Sequence, residues 1–172
     1  MGRVEAPATP EAVATDFVDC YLRHYSRLVR ALQLAGASRA VAEDQAQEAF
    51  ARALARWDRV SQGPNPTGYV YTAGFRLLHR HLARTRKWEI GEEPGDELGT
   101  GGRGHQWSDQ TASEATTRVS VEEALAAMPP KRRACAVLCL IVGVPTDEAA
   151  QALGIAPGTV RKHLEQARLD LR

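Results

Sequence analysis

Residues Thr146 to Leu171 constrain this chain more than any other stretch, because they prescribe a pair of helices joined by one tight turn. Thr146 is expected as the N-cap, its hydroxyl accepting from a free backbone N–H. Asp147 and Glu148 place negative charge in the first turn, where the helix dipole favours it. Ala149, Ala150, Ala152 and Leu153 form a small inner face, and Gly154 stands where a left-handed stop is wanted. Ile155 pins the turn, and Pro157 opens the second helix at a position that needs no N–H. Val160, Leu164, Ala167 and Leu171 recur at helical spacing as one buried stripe. Thr159, Arg161, Lys162, His163, Gln166 and Arg168 lie off that stripe. This is the layout of a helix-turn-helix whose second helix enters a DNA major groove, where Arg and Lys reach guanine edges or phosphates and Gln reads adenine. An ordinary helical hairpin with a solvated polar face is the competing reading. The agreement of cap, turn, proline start and stripe favours DNA.

Composition bounds the rest. The chain has 172 residues, 44% hydrophobic and 25% charged, in the range of a soluble globular protein of one domain or two small ones. No run approaches the roughly 18 apolar residues of a membrane span, and Met1 to Pro10 lacks the apolar centre of a signal peptide. A cytoplasmic protein is expected. Cys20, Cys135 and Cys139 are too few for a disulfide framework. Cys135 and Cys139 share a helix face but lack partner ligands, and His79 and His81 are poorly spaced for a helical metal site, so neither metal nor cofactor is expected.

The net charge of +1 argues against a protein that coats DNA non-specifically. Its distribution says more. Phe75 to Trp88 carries Arg76, Arg80, Arg84, Arg86 and Lys87 with no acid, for +5. Glu89 to Thr117 carries seven acids against Arg103, for −6. A basic helix is thus followed by an acidic, Gly-rich stretch without periodicity, which reads as a linker that also holds Trp107.

Before that linker the pattern is helical. Residues 1 to 12 are Ala/Pro/Thr-rich and expected to be disordered, with a first amphipathic helix from near Thr15 to Gly36. Ser38 is placed to cap a second helix over about Arg39 to Trp57, whose outer patch holds Glu43, Asp44, Gln47 and Glu48. Val60 to Gly68 is a proline-stiffened loop. A third helix follows over about Thr67 to Lys87, in which Tyr69, Tyr71, Phe75 and Trp88 interleave with the cations. Arg76, Arg80 and Arg84 fall on one face, and cations beside rings suit single-stranded DNA, although most of those rings belong to a core. After the linker, a short helix ends at Pro129-Pro130, and the next has Cys135, Val137, Leu138, Leu140, Ile141 and Val142 as its expected buried face.

Two stretches together resemble a known family. AEDQAQEAF, Ala42 to Phe50, matches the Ala-Glu-Asp-x-x-Gln-Glu-x-Phe motif of bacterial extracytoplasmic-function sigma factors, the RNA polymerase promoter-specificity subunits. The run from Leu125 through LGIAPGTVRKHLEQARLDLR is similar to that family's second domain, and the resemblance covers about residues 13 to 172. One departure is Tyr69 to Arg76, where the family has a Trp-Leu-x-x-Ile-Ala-x-Asn-like run; the Asn-like position falls on Arg76.

The resemblance implies an all-α protein with a helical bundle over 13–88, a linker over 89–117 and a helix-turn-helix domain over 118–172. It implies that Asp44, Gln47 and Glu48 grip the core polymerase with Phe50 packed beneath. It further implies that Ser61 and Asn65, with Arg76, His79, Arg80 and Arg84, hold the melted −10 element. Thr159, Arg161, Lys162, His163, Gln166 and Arg168 would read the −35 element. Partners would be core polymerase, promoter DNA and, as is common in the family, an anti-sigma factor. The alternative is a stand-alone helix-turn-helix regulator that binds duplex DNA without polymerase. An enzyme is disfavoured, because no nucleophile–base pair or phosphate loop is present.

Overall fold

The computed structural model describes residues 10–84 and 121–171, with side chains from Asp16 onward. All regular structure among the described residues is helical. The expected linker, together with Trp88 and Trp107, lies outside them.

Helix α1, Pro10–Leu34, starts earlier than the sequence pattern suggested. It ends in a glycine turn: Gly36 has φ +107°, the N–H of Ala37 donates to Leu32 O at 3.0 Å and that of Gly36 to Gln33 O at 2.9 Å. Those bonds satisfy carbonyls the helix end would leave bare. Ser38 then caps α2, Arg39–Leu54, accepting from the Val41 N–H at 3.4 Å. Helix α2 stops short of the expected Trp57, and a one-turn helix α3, Trp57–Val60, follows after a break. That break turns Trp57 inward, where it is 3% exposed. Helix α4, Pro66–Arg84, begins inside the expected loop. The Asn65 side chain makes this start, its Oδ1 accepting from the Gly68 N–H at 2.8 Å.

Helices α1, α2 and α4 pack around Leu28, Leu32, Phe50, Val70 and Phe75, all nearly or fully buried. The alanines of α2 (Ala42, Ala46, Ala49, Ala53) are fully buried and let its neighbours approach closely. Gly74 serves the same end on α4, since a Cβ there would sit 3.1 Å from Leu28 Cδ1. A ring cluster completes the core: Phe50 meets Tyr21 edge-on at 5.0 Å, Phe17 meets Trp57 edge-on at 5.2 Å, and Tyr21 stacks on Tyr25 at 5.0 Å. Such pairs add about 0.5–1.5 kcal/mol each beyond area burial.

The C-terminal module comprises α5 (residues 121–127), α6 (Pro130–Ala136), a π-helical turn (Val137–Ile141), α7 (Thr146–Leu153) and α8 (Pro157–Asp170). Arg133 closes the end of α5, donating from Nη2 to the carbonyls of Ala126 at 2.6 Å and Met128 at 3.0 Å. Arg132 ties α6 to the end of α8 through Asp170 at 2.9 Å. Sequence periodicity misjudged three details here. Pro145, not Thr146, occupies the N-cap of α7, and Thr146 is already helical with no side-chain cap bond. The π turn adds a residue to the helical repeat, seen in the Val142 N–H donating to Val137 O, and so swings Leu140 and Ile141 outward to 38% and 51% exposure. Leu171 lies past the end of α8 and is exposed, while Val160, Leu164 and Ala167 are buried as the stripe required.

The two modules touch. Helix α4 lies against α7, the π turn lies against α1, and Arg30 on α1 pairs with Glu122 on α5.

Candidate functional site

Three polar surfaces stand out. The first is the outer face of α2. Asp44, Gln47 and Glu48 are exposed side by side, while Phe50, two positions on, is 2% exposed and locked among the rings of Phe17, Tyr21 and Tyr25. The face is held in shape from both sides. Glu48 pairs with Arg52 at 2.7 Å, and Gln47 Nε2 donates to the Tyr25 hydroxyl at 3.4 Å. Tyr25 was absent from the sequence reading of this surface. Its place on the Tyr21 face of α1 was the signal available.

The second surface is α4 and the loop before it. Arg76 and His79 are half-buried and Arg80 and Arg84 exposed. The rings are less available than their number suggested. Tyr71 and Phe75 are 5% and 1% exposed and belong to the core, which leaves Tyr69 as the described ring on α4 with partial exposure. Ser61 is half-buried, its N–H donating to Trp57 O at 2.8 Å, and Asn65 is exposed. Because Asn65 Oδ1 caps α4, its Nδ2 is the atom left to meet a ligand, so this side chain acts as a donor. Burial, with help from Lys131 and Arg80, pushes the His79 pKa down and keeps the ring neutral near pH 7. Arg76, His79 and Arg80 form one wall of a cleft of about 330 Å³ whose other wall is Gln151, Ala152 and Gly154 from the C-terminal module. Nothing in the sequence joined those two sets.

The third surface is α8. Thr159, Arg161, Lys162, Gln166 and Arg168 are exposed along one side of it, and the buried Val160–Leu164–Ala167 stripe holds the other side against α6 and α7. His163 is half-buried; burial first, then Arg132, Lys131 and Lys162, pushes its pKa down. Gly154 has φ +67°, and the Ile155 N–H donates to Ala150 O at 3.1 Å, so the turn between α7 and α8 has the left-handed geometry expected of it. The cysteines carry no chemistry of this kind: burial and the neighbouring Cys139 raise the Cys135 thiol to about 12, so it stays protonated. Among the described residues there is no His/Cys/Asp/Glu group able to hold a metal, and no helix long and apolar enough to cross a membrane.

Comparison with known proteins falls on the same division. The family model for Sigma-70 region 2 matches residues 17–88, and that for Sigma-70 region 4 matches residues 118–171. The RNA polymerase sigma-E factor of Streptomyces coelicolor is 28% identical over 131 residues, 76% of this chain and 70% of that one. The ECF RNA polymerase sigma factor SigE of Mycolicibacterium smegmatis is 34% identical over 64 residues; the match spans 37% of this chain and only 25% of that relative's length. Among solved structures, the sigma factor RpoE of Bartonella quintana, in complex with the anti-sigma factor NepR, aligns with TM-score 0.60 at 20% identity, covering 91% of this chain and 94% of that one. CnrH, in complex with the cytosolic domain of CnrY, aligns with TM-score 0.56 at 21% identity, covering 92% and 86%. Fold and surfaces define the class: an all-helical protein of two small modules, the second ending in a helix-turn-helix. The two family models match one module each. The chain belongs to the sigma-70 family, as an extracytoplasmic-function sigma factor.

Proposed function

We propose that this chain binds core RNA polymerase through the α2 face of Asp44, Gln47 and Glu48, backed by Phe50, and carries promoter specificity into the complex. The observation that carries this reading is the fixed geometry of that face. Its members are exposed, braced by Tyr25 and Arg52, and seated on a ring-packed core. In this reading α8 reads the −35 element as duplex, with Arg161, Lys162, Gln166 and Arg168 at base edges and phosphates, Thr159 near the groove entry and His163 as a neutral donor. The Ser61–Asn65 loop and Arg76, His79, Arg80 and Arg84 of α4 hold the melted −10 strand.

Energetics favour the division. Opening duplex costs roughly 1.4 kcal/mol per stacked step, and capture of an extruded base offsets part of that. A chain of net charge +1 has little counterion-release affinity of its own, so polymerase supplies it by holding both modules on one template. The modules are assigned as 13–88 and 118–172, with 89–117 as the tether. The chain performs no chemistry in this role, needs no cofactor, and works in the cytoplasm beside polymerase; an anti-sigma factor is its natural antagonist.

The test is affinity for core polymerase. Gln47→Ala and Glu48→Ala are each expected to weaken it at least several-fold with helicity unchanged by circular dichroism. Unaltered affinity in both variants would remove the basis of the proposal.

A further inference from the structure

The face of α4 assigned above to the melted strand carries polar groups of one kind, and that bears on which base it can hold. Asn65 has one polar atom to spare. Its Oδ1 accepts from the Gly68 N–H at 2.8 Å, so the donor Nδ2 remains. The amide cannot turn over and offer its oxygen without uncapping α4. Gly68 makes room for this pose, since a Cβ there would stand 2.2 Å from Asn65 Nδ2 and 2.7 Å from Cγ.

Arg76 is the second group. A guanidinium has five donors and no acceptor, and it stays charged at any working pH. Arg76 is half-buried, and among the described residues no carboxylate pairs with it.

Tyr69 stands between them. It follows Asn65 by four positions and precedes Arg76 by seven. At about 100° per residue, all three fall within about 40° of one another around the helix. The Tyr69 N–H donates to Asn65 O at 3.2 Å, one turn of that helix. Tyr69 is half-buried and, unlike Tyr71, meets no other ring among the described residues. Helical side chains lean towards the N-terminus, so the Arg76 fork comes back towards Tyr69. Thr72 shares the stripe, but its hydroxyl oxygen is buried out of reach of a base. The stripe thus offers a ring to stack on, flanked by two side chains that only donate.

A guanidinium fork needs two acceptors side by side. Guanine presents them at O6 and N7, whereas adenine sets its N6 amino group beside N7 and thymine has O4 alone on that edge. Unpaired cytosine also has two, O2 and N3, but it lays one ring on Tyr69 where guanine lays two, and stacking strength sets preference on such platforms.

We propose that Asn65, Tyr69 and Arg76 form a guanine-selecting site: an unpaired guanine of the −10 strand stacks on Tyr69, receives the Arg76 fork at O6 and N7, and accepts from Asn65 Nδ2 at N3 on its far edge. Adenine is rejected because its amino group meets a donor. The proposal rests on the assignment of this face to the melted strand, and it makes Arg76 the residue that sets the base.

The test uses holoenzyme, the full chain with core polymerase. It is offered fork templates whose duplex part comes from a promoter it transcribes and whose non-template single strand is randomised over the −10 positions. Total capture is measured, and captured strands are sequenced. Guanine should exceed adenine at one position by at least about fivefold, the low end for a bidentate side chain–base pair. Arg76→Gln replaces a pure donor by an amide that can read adenine, so that same position should turn from guanine towards adenine. Tyr69→Leu should weaken the enrichment without changing the base. Guanine enrichment that survives Arg76→Gln overturns the proposal, as does enrichment of any other base, or of none, in the parent. Failure of the underlying assignment has its own signature: Arg76→Ala combined with Arg80→Ala would leave total capture at the parent level, and the guanine site would fall with it.

Discussion

The two modules are built on different principles. The N-terminal module has helices of 25, 16 and 19 residues and a core of large rings, Phe17, Tyr21, Phe50 and Trp57 among them. The C-terminal module has helices of 7, 8 and 14 residues among its elements, and its core is Ala, Val, Leu, Met128 and Cys135, without an aromatic among the buried residues described. Long helices with ring cores are held by side-chain packing. Short helices with small cores depend on their turns: Gly154 at φ +67°, Gly143 at φ +85° and the π turn between α6 and α7. The difference suits the proposed tasks. A surface gripped by a large enzyme must be stiff along a helix, whereas a groove reader must hold one short helix at a fixed angle to another.

The sharpest way to break the comparison is to remove the ring that meets Phe17, Tyr21 and Tyr25 at once. Phe50→Ala should cost about 3–5 kcal/mol, the range for deleting a buried aromatic, and should lose polymerase binding with it. Denaturant unfolding followed by Tyr and Trp fluorescence would show the loss, while the helix-turn-helix, which shares none of those ring contacts, keeps its structure. A cost near zero would mean that the ring cluster does not support the α2 face.

Next in size is the turn. Gly154→Ala puts a Cβ on a left-handed residue and should cost about 1–2 kcal/mol. The loss should appear in the C-terminal module and in −35 binding, with polymerase affinity retained. An effect spread evenly over both functions would blur the contrast between the modules.

The smallest expected effect is one of pH. His24, His79 and His163 all have lowered pKa values, each from burial first and from nearby cations second: Arg27 and Arg23, Lys131 and Arg80, and Arg132, Lys131 and Lys162. A depressed His releases its proton more readily when folded, so the unfolded chain binds more protons and stability rises with pH. The stabilisation is complete above the ordinary His value of about 6.5 and is lost as pH falls below it towards the depressed values. Thermal unfolding at pH 7.5 and 5.5 should give a lower Tm at the acid end. An unchanged Tm would contradict this.

Much of the architecture was legible because local chemistry specified it. Ser38 before α2, Gly154 after α7 and Pro157 opening α8 each act within one turn of the backbone, and each took its expected place. The AEDQAQEAF run put Asp44, Gln47 and Glu48 outside and Phe50 inside, since helical spacing alone separates them. The failures share a physical cause, a tertiary demand that overrides local pattern. Trp57 leaves α2 to fill the ring core. The π turn shifts Leu140 and Ile141 out of a stripe that periodicity had drawn as continuous. Tyr71 and Phe75 go to the core, as most of the rings on that helix were expected to, because α1 packs on α4 there, with Gly74 allowing the close approach. The meeting of Arg76 with Gln151 depends on contact between modules distant in sequence, and no local signal encodes that.

The central claim is that specificity resides in this chain and initiation in the polymerase it joins. Run-off transcription with core polymerase over a library of genomic fragments tests it directly. The account predicts discrete transcripts only when chain and core are both present, from templates sharing a −35 and a −10 element, and their loss with Glu48→Ala. Tight, selective duplex binding by the chain alone, with no polymerase-dependent transcripts, would contradict it.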